Sequence, residues 1–192
     1  MVKTRTVSPA HREQAIQVAV EELTGLALQE RGLTVLLARQ APESLAGGPR
    51  ERVEAHLRQS REHSRIFDER VQALKAHRGS GELLAAYVRS GLALVAAVGA
   101  TVGQTATLPL ARLRKGGPQE RLLENAGVEG GVLANKLVIL TAVAKAAELS
   151  GDEQTRAALV RVRDEATKTW EQLLAATPGL MDGLVTARAA AA

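Results

Sequence analysis

Glu30, Ser60, His63 and Glu165 are the residues of this sequence whose types could do chemistry from within a helical core. Glu30 is the one carboxylate in a seam that otherwise reads Ile16, Ala19, Leu23, Leu26, Leu33 and Leu37, and it falls past the midpoint, away from the ends where solvent reaches. Ser60 and His63 are three apart and share a helix face, with His56 one heptad before His63. Carboxylate oxygens with imidazole nitrogens form a donor set that can hold a metal ion. A mononuclear or dinuclear site could draw on Glu30, His56, Glu62, His63 and Glu165. Glu62 and His63 are neighbours about a quarter-turn apart, so only one of them can face a common centre. The plainer reading is that Glu30 snorkels to an edge and that the histidines, like most on long helices, bind nothing.

The elements that must position these groups are long helices. Val53, Leu57, Ser60, Ser64, Phe67, Val71 and Leu74 recur at alternating spacings of four and three, which is one face of a helix. Its ends are apolar and its middle carries two serines, with His56 and His63 on the flank, so polarity sits where a core would be deepest. The first helix is expected over His11–Arg39, opened by Ser8 as N-cap and Pro9 at the first helical position, with Gly25 and Gly32 admitting a close neighbour. A turn over 41–48 leads to the second helix, Arg50–Lys75, ended by HRGSG at 77–81. The third is expected over Pro118–Leu149, bent or interrupted at Gly127, Gly130 and Gly131. The fourth runs Glu153–Ala176, capped by Asp152 and stopped by Thr177, Pro178 and Gly179. Between the two helical hairpins, Gly81–Gly117 is apolar, with a helix expected over Glu82–Val98 and breaks at Gly99, Gly103 and Pro109. Such a segment can carry the chain from one end of the molecule to the other, which makes the second and third helices parallel.

Composition narrows the function classes. The 192 residues fit one domain, with 1–10 as a flexible N-terminus, 81–117 as a crossover and 180–192 as a C-terminal tail. Aromatics are 2% against an apolar share of 45%, a palette of Ala, Leu and Val that favours closely packed helices over a sandwich or barrel. With no cysteine, disulfides, thiolate metal sites and cysteine nucleophiles are excluded. The net charge of +4 is spread along the chain without a basic block or interleaved aromatics, which argues against nucleic acid. MVKTRTVSPAHREQ has no apolar signal core, so the expected compartment is the cytoplasm. The apolar run Gly91–Val102 is too short and too rich in Ala and Gly for a span, and a membrane-surface helix would need a stronger basic face. GATVGQT at 99–105 lacks the lysine and preceding strand of a phosphate loop. Gly-x-Ser-x-Gly is absent, and Ser60 with His63 lacks the strained turn of a hydrolase nucleophile.

Several segments resemble one family. AHLRQSREHSRIFDERVQAL is similar to the second helix of small ferritin-like proteins, and ALQERGLTVLLA to a first helix whose glutamate bridges metals. PLARLRKGGPQERLLENA, AVAKAAELSGDEQTRAAL and RDEATKTWEQLL resemble the second hairpin of bacterial ferritin-like domains, so the likeness covers nearly the whole chain, mostly as apolar pattern. It implies an all-α, up-down-down-up four-helix bundle with a long, partly helical crossover between helices 2 and 3. In that family each hairpin gives a lone Glu from one helix and Glu-x-x-His from the next, and the six ligands surround two metal ions. By the resemblance, Glu30, His63 and Glu165 match retained ligands, while Ser60 replaces a glutamate, Lys136 a glutamate and Lys168 a histidine. Lysine then stands where cations bound, neutralising the carboxylates and repelling a divalent metal. The expected protein is a non-catalytic relative with a degenerate di-metal site, without catalytic residues or cofactor. It acts as a homodimer through binding or assembly, toward a protein partner or a small apolar ligand. The alternatives are an iron- or manganese-dependent oxidase or iron-storage protein with substituted ligands, and a membrane-surface or lipid-binding helical protein.

Overall fold

The structure, a computed structural model, describes residues 8–44, 47–76 and 117–191. Four helices account for them: α1 (Pro9–Glu43), α2 (Gly48–Ala76), α3 (Pro118–Ser150) and α4 (Glu153–Ala191). There is no strand among the described residues, so the fold is all-α. α1 packs on α2 and on α3, α3 packs on α4, and α4 returns to touch α2. The expected crossover, with its helix Glu82–Val98 and the run Gly91–Val102, lies outside the described residues except for Gly117. Among the described residues no helix is long and apolar enough to cross a membrane.

Local chemistry explains where the helices begin and end. The Ser8 side chain accepts the His11 backbone N–H at 3.3 Å, with Pro9 at the first helical position, so helix begins inside the stretch 1–10 expected to be flexible. α1 also runs through Pro42 into the expected turn. The Ser44 N–H and hydroxyl both bond the Gln40 carbonyl, each at 2.9 Å, and close its last turn. Gly151 takes a left-handed conformation, φ 75°, that few side chains tolerate, and Asp152 accepts from the Thr155 N–H at 2.9 Å. α3 and α4 are thereby joined with almost no connecting chain.

The helices share one core, to which α1 gives Leu23 and Leu26, α2 gives Phe67, α3 gives Leu133 and Leu140, and α4 gives Leu159 and Val162. Burying each large apolar side chain contributes roughly 1.5–3 kcal/mol, which is what holds helices of such ordinary propensity together. Three sequence expectations change here. α3 passes through its glycines unbroken, because Gly130 serves packing: a Cβ there would lie 3.1 Å from the Trp170 ring that covers it. α4 passes Pro178 and absorbs the tail into one helix. Leu180 packs on the core, Gln119 sits 3.1 Å from where a Cβ on Gly183 would be, and Arg188 pairs with Glu120, so contacts to α3 outweigh a missing N–H. Gly32 is exposed, and a Cβ added to it would stand in open space, so it admits no close neighbour.

Candidate functional site

Two buried polar rungs cross the core. The seam of α1 is as the heptads demand: Ala19, Leu23, Leu26, Glu30, Leu33 and Leu37 are all buried, Glu30 at 1% exposure. α2 is rotated from expectation. Its buried line is Val53, His56, Ser60, His63 and Phe67, so the histidines lie in the core and not on its flank. The cause is on α3, where Glu129 and Lys136, one heptad apart and both buried, meet His56 and His63 in turn.

The first rung contains Glu30, Ser60, His63, Lys136 and Glu165. The Lys136 ammonium contacts Glu30 Oε1 and donates to His63 Nδ1 at 2.7 Å. An ammonium only donates, so Nδ1 carries no proton and the imidazole proton is on Nε2, donated to Glu165 Oε2 at 2.9 Å. Ser60 donates to the other oxygen of Glu30, which leaves the Thr34 hydroxyl, 3.2 Å away, as donor to Ser60. Thr34, Ser60, Glu30, Lys136, His63 and Glu165 thus form one continuous chain of contacts, in which Glu30 Oε1 is held by its ion pair with Lys136 and has no hydrogen-bond partner. Burial, reinforced by the Lys136 charge, pulls the His63 pKa from 6.5 to about 3, so the ring is neutral. Burial also pulls Lys136 below the ordinary lysine value, against the opposing pull of Glu30 and, at longer range, Glu165.

The second rung has no counterpart among the sequence expectations. Glu129 Oε1 accepts from His56 Nδ1 at 2.6 Å and from Arg52 Nη1 at 2.8 Å. Burial pushes the Glu129 carboxyl up, but the His56 hydrogen bond and the Arg52 guanidinium outweigh it and leave its pKa below the usual range. An ionised carboxylate only accepts, so His56 carries its proton on Nδ1. Its Nε2 and the second Glu129 oxygen are buried without a hydrogen-bond partner among the described residues. Arg52 keeps 18% of its side chain exposed, unlike Lys136 at 1%.

Of the sequence candidates, then, Glu30, Ser60, His63, Lys136 and Glu165 come together, with Glu165 half-buried at the edge. Lys168 is exposed on α4, in a groove beside Glu165 and not in the core, and Glu62 is exposed and paired with Arg65. His56 joins Glu129 instead. Among the described residues no three His, Asp or Glu side chains are grouped so as to hold a metal ion. The donor chemistry gives the reason. Glu30 Oε1 and His63 Nδ1 are 3.9 Å apart with the Lys136 nitrogen bound to both, and a metal at roughly 2.0–2.2 Å from each would need that same place. The residues present therefore do not fit a metal while Lys136 stays where it is.

A groove of about 520 Å³ lies along α4 beside Glu165, lined by Arg156, Ala157, Val160, Arg161, Asp164 and Lys168. Its charges are mixed, three cations against two carboxylates with Glu165 counted, so it selects no one sign of ligand. Comparisons with protein-family models, with curated proteins and with solved structures gave no match to this chain.

Proposed function

We propose that the chain is a ferritin-like, up-down-down-up four-helix bundle in which an internal lysine has taken over the task of two metal ions. It acts through binding or assembly and not through redox catalysis. The topology is supported by the order of contacts. His56 meets Glu129 and His63 meets Lys136, so α2 and α3 advance together, whereas Gln59 meets Thr169 and His63 meets Glu165, so α4 runs back. The single observation that carries the functional reading is the Lys136 nitrogen held between Glu30 and His63. A cation covalently attached to the fold neutralises the buried carboxylate, and it cannot exchange, change valence or open a position to oxygen.

What remains for such a bundle is its outer surface. Val35 on α1 and Val138 on α3 are 54% and 70% exposed, apolar side chains of the kind a second copy could cover, and the reading includes a cytoplasmic homodimer. Light scattering checks the dimer. The metal question is tested by elemental analysis of protein purified from cells grown with added iron or manganese. This reading expects almost no metal per chain. About one equivalent or more would favour the alternative, an oxidase or storage protein with substituted ligands. Flotation with anionic vesicles separates out the third reading, since a membrane-surface protein would rise with them.

A further inference from the structure

We infer that the two polar rungs fix the axial register between the two helical hairpins, because their charges are reversed relative to each other. Within each hairpin the connection does this work: residues 44–47 join α1 to α2, and Gly151 and Asp152 join α3 to α4. Between hairpins no short turn sets the offset, since α2 and α3 are separated by the 40 residues 77–116 in sequence. The apolar pattern alone chooses weakly among offsets, since its layers differ in side-chain size and not in polarity. Leu26 and Leu33 on α1, Leu133, Leu140 and Ala147 on α3, and Leu159, Ala166 and Leu173 on α4 repeat every seven residues, so a slide of one heptad, about 10 Å, sets one apolar layer against another.

The rungs do choose. In one, α3 supplies the anion, Glu129, and α2 the partners Arg52 and His56. In the other, α3 supplies the cation, Lys136, and α1 and α2 the partners Glu30 and His63. Sliding α3 one heptad one way brings Glu129 against Glu30. Sliding it the other way brings Lys136 against Arg52 and His56. The first places two carboxylates together away from water. The second sets Lys136 beside the Arg52 guanidinium and parts it from Glu30. Each strands the second charged group of α3, and an unpaired buried charge is among the costliest errors a core can hold. A single rung would penalise misplacement only by leaving its pair unmade. Two rungs of reversed sign add repulsion in both directions.

The test is a pulsed electron-spin measurement between nitroxides on Val35→Cys and Val138→Cys, exposed positions on α1 and α3 in a chain with no other cysteine, with the labelled protein diluted in unlabelled chain so that only distances within one chain are read. Exchanging the signs on α3, with Glu129→Lys and Lys136→Glu together, should favour a slid arrangement and change the label distance by several ångströms, the part of the roughly 10 Å axial step that falls along the label–label vector. A folded exchange variant with an unchanged distance overturns the inference. A second variant removes the signs, with Glu30→Gln, Glu129→Gln and Lys136→Met. It should stay helical and give two distance populations separated by the same step. One population at the parent distance overturns the inference, and so does failure of this neutral variant to fold, because the rungs would then serve stability and not register.

Discussion

The two rungs sit one heptad apart on the same pair of helices and yet treat charge differently. Around Lys136 and His63 the ion pair with Glu30 is sealed from water, and the one Glu30 oxygen without a hydrogen bond lies against the ammonium itself. Around Glu129, Arg52 reaches the surface and both the carboxylate and His56 keep an unused buried atom. The difference teaches that burial alone does not make a charge costly. The decisive matter is whether the group can still reach water when its partner is lost. Lys136 and Glu30 have no such route, while Arg52 does.

The largest expected effect follows from the sealed rung. Lys136→Met leaves Glu30 buried without a counter-charge and should cost about 3–5 kcal/mol in urea unfolding. Adding Glu30→Leu should recover most of that loss, because the pair as a whole contributes little. A small loss in the single variant would mean that water already enters this rung.

Acid should attack the same place. A histidine whose pKa is about 3 in the fold and 6.5 in the unfolded chain leaves the unfolded state holding more protons between those values. Stability is therefore complete above pH 6.5 and falls as pH drops toward 3, by up to about 1.4 kcal/mol per pH unit. His63→Gln should flatten that limb. An equally steep acid limb in the variant would assign the loss to other groups.

At the second rung, Glu129→Gln should cost only about 1–2 kcal/mol, since Arg52 can turn outward. A loss matching that of Lys136→Met would erase the distinction between the rungs. Smaller still, Glu165→Gln should cost under about 1 kcal/mol, as expected for a half-exposed partner. The comparison can also be read without perturbing the protein. Nitrogen NMR should find His63 protonated on Nε2 and His56 on Nδ1, opposite tautomers one heptad apart.

Much of this is legible in the residues. Glu30 stands out because a carboxylate interrupts six apolar seam positions, and the Ser8 and Asp152 caps follow directly from hydrogen-bond chemistry. Lys136 is the cation that the resemblance sets against Glu30, and the contact is present. Glu129 and Arg52 escape sequence reasoning because Glu129 stands in a glycine-rich stretch that reads as a break in the helix. The available signal is its spacing, seven residues before Lys136, matching that of His56 before His63. The rotation of α2 is hidden for a related reason. Local periodicity weighs serine and histidine alike, whereas the partners that draw the histidines inward lie 73 residues away. Pro178 misleads because helix-breaking rules describe a helix alone, and α4 continues along α3.

The central claim is that the Lys136 nitrogen, and not a metal ion, balances the carboxylate at the heart of the four helices. The most direct measurement is anomalous diffraction at the manganese and iron edges from crystals grown with an excess of either ion. The account predicts no anomalous peak between Glu30 and His63, with Lys136 in contact with both. A strong peak there at coordination distance, with Lys136 displaced, would contradict it.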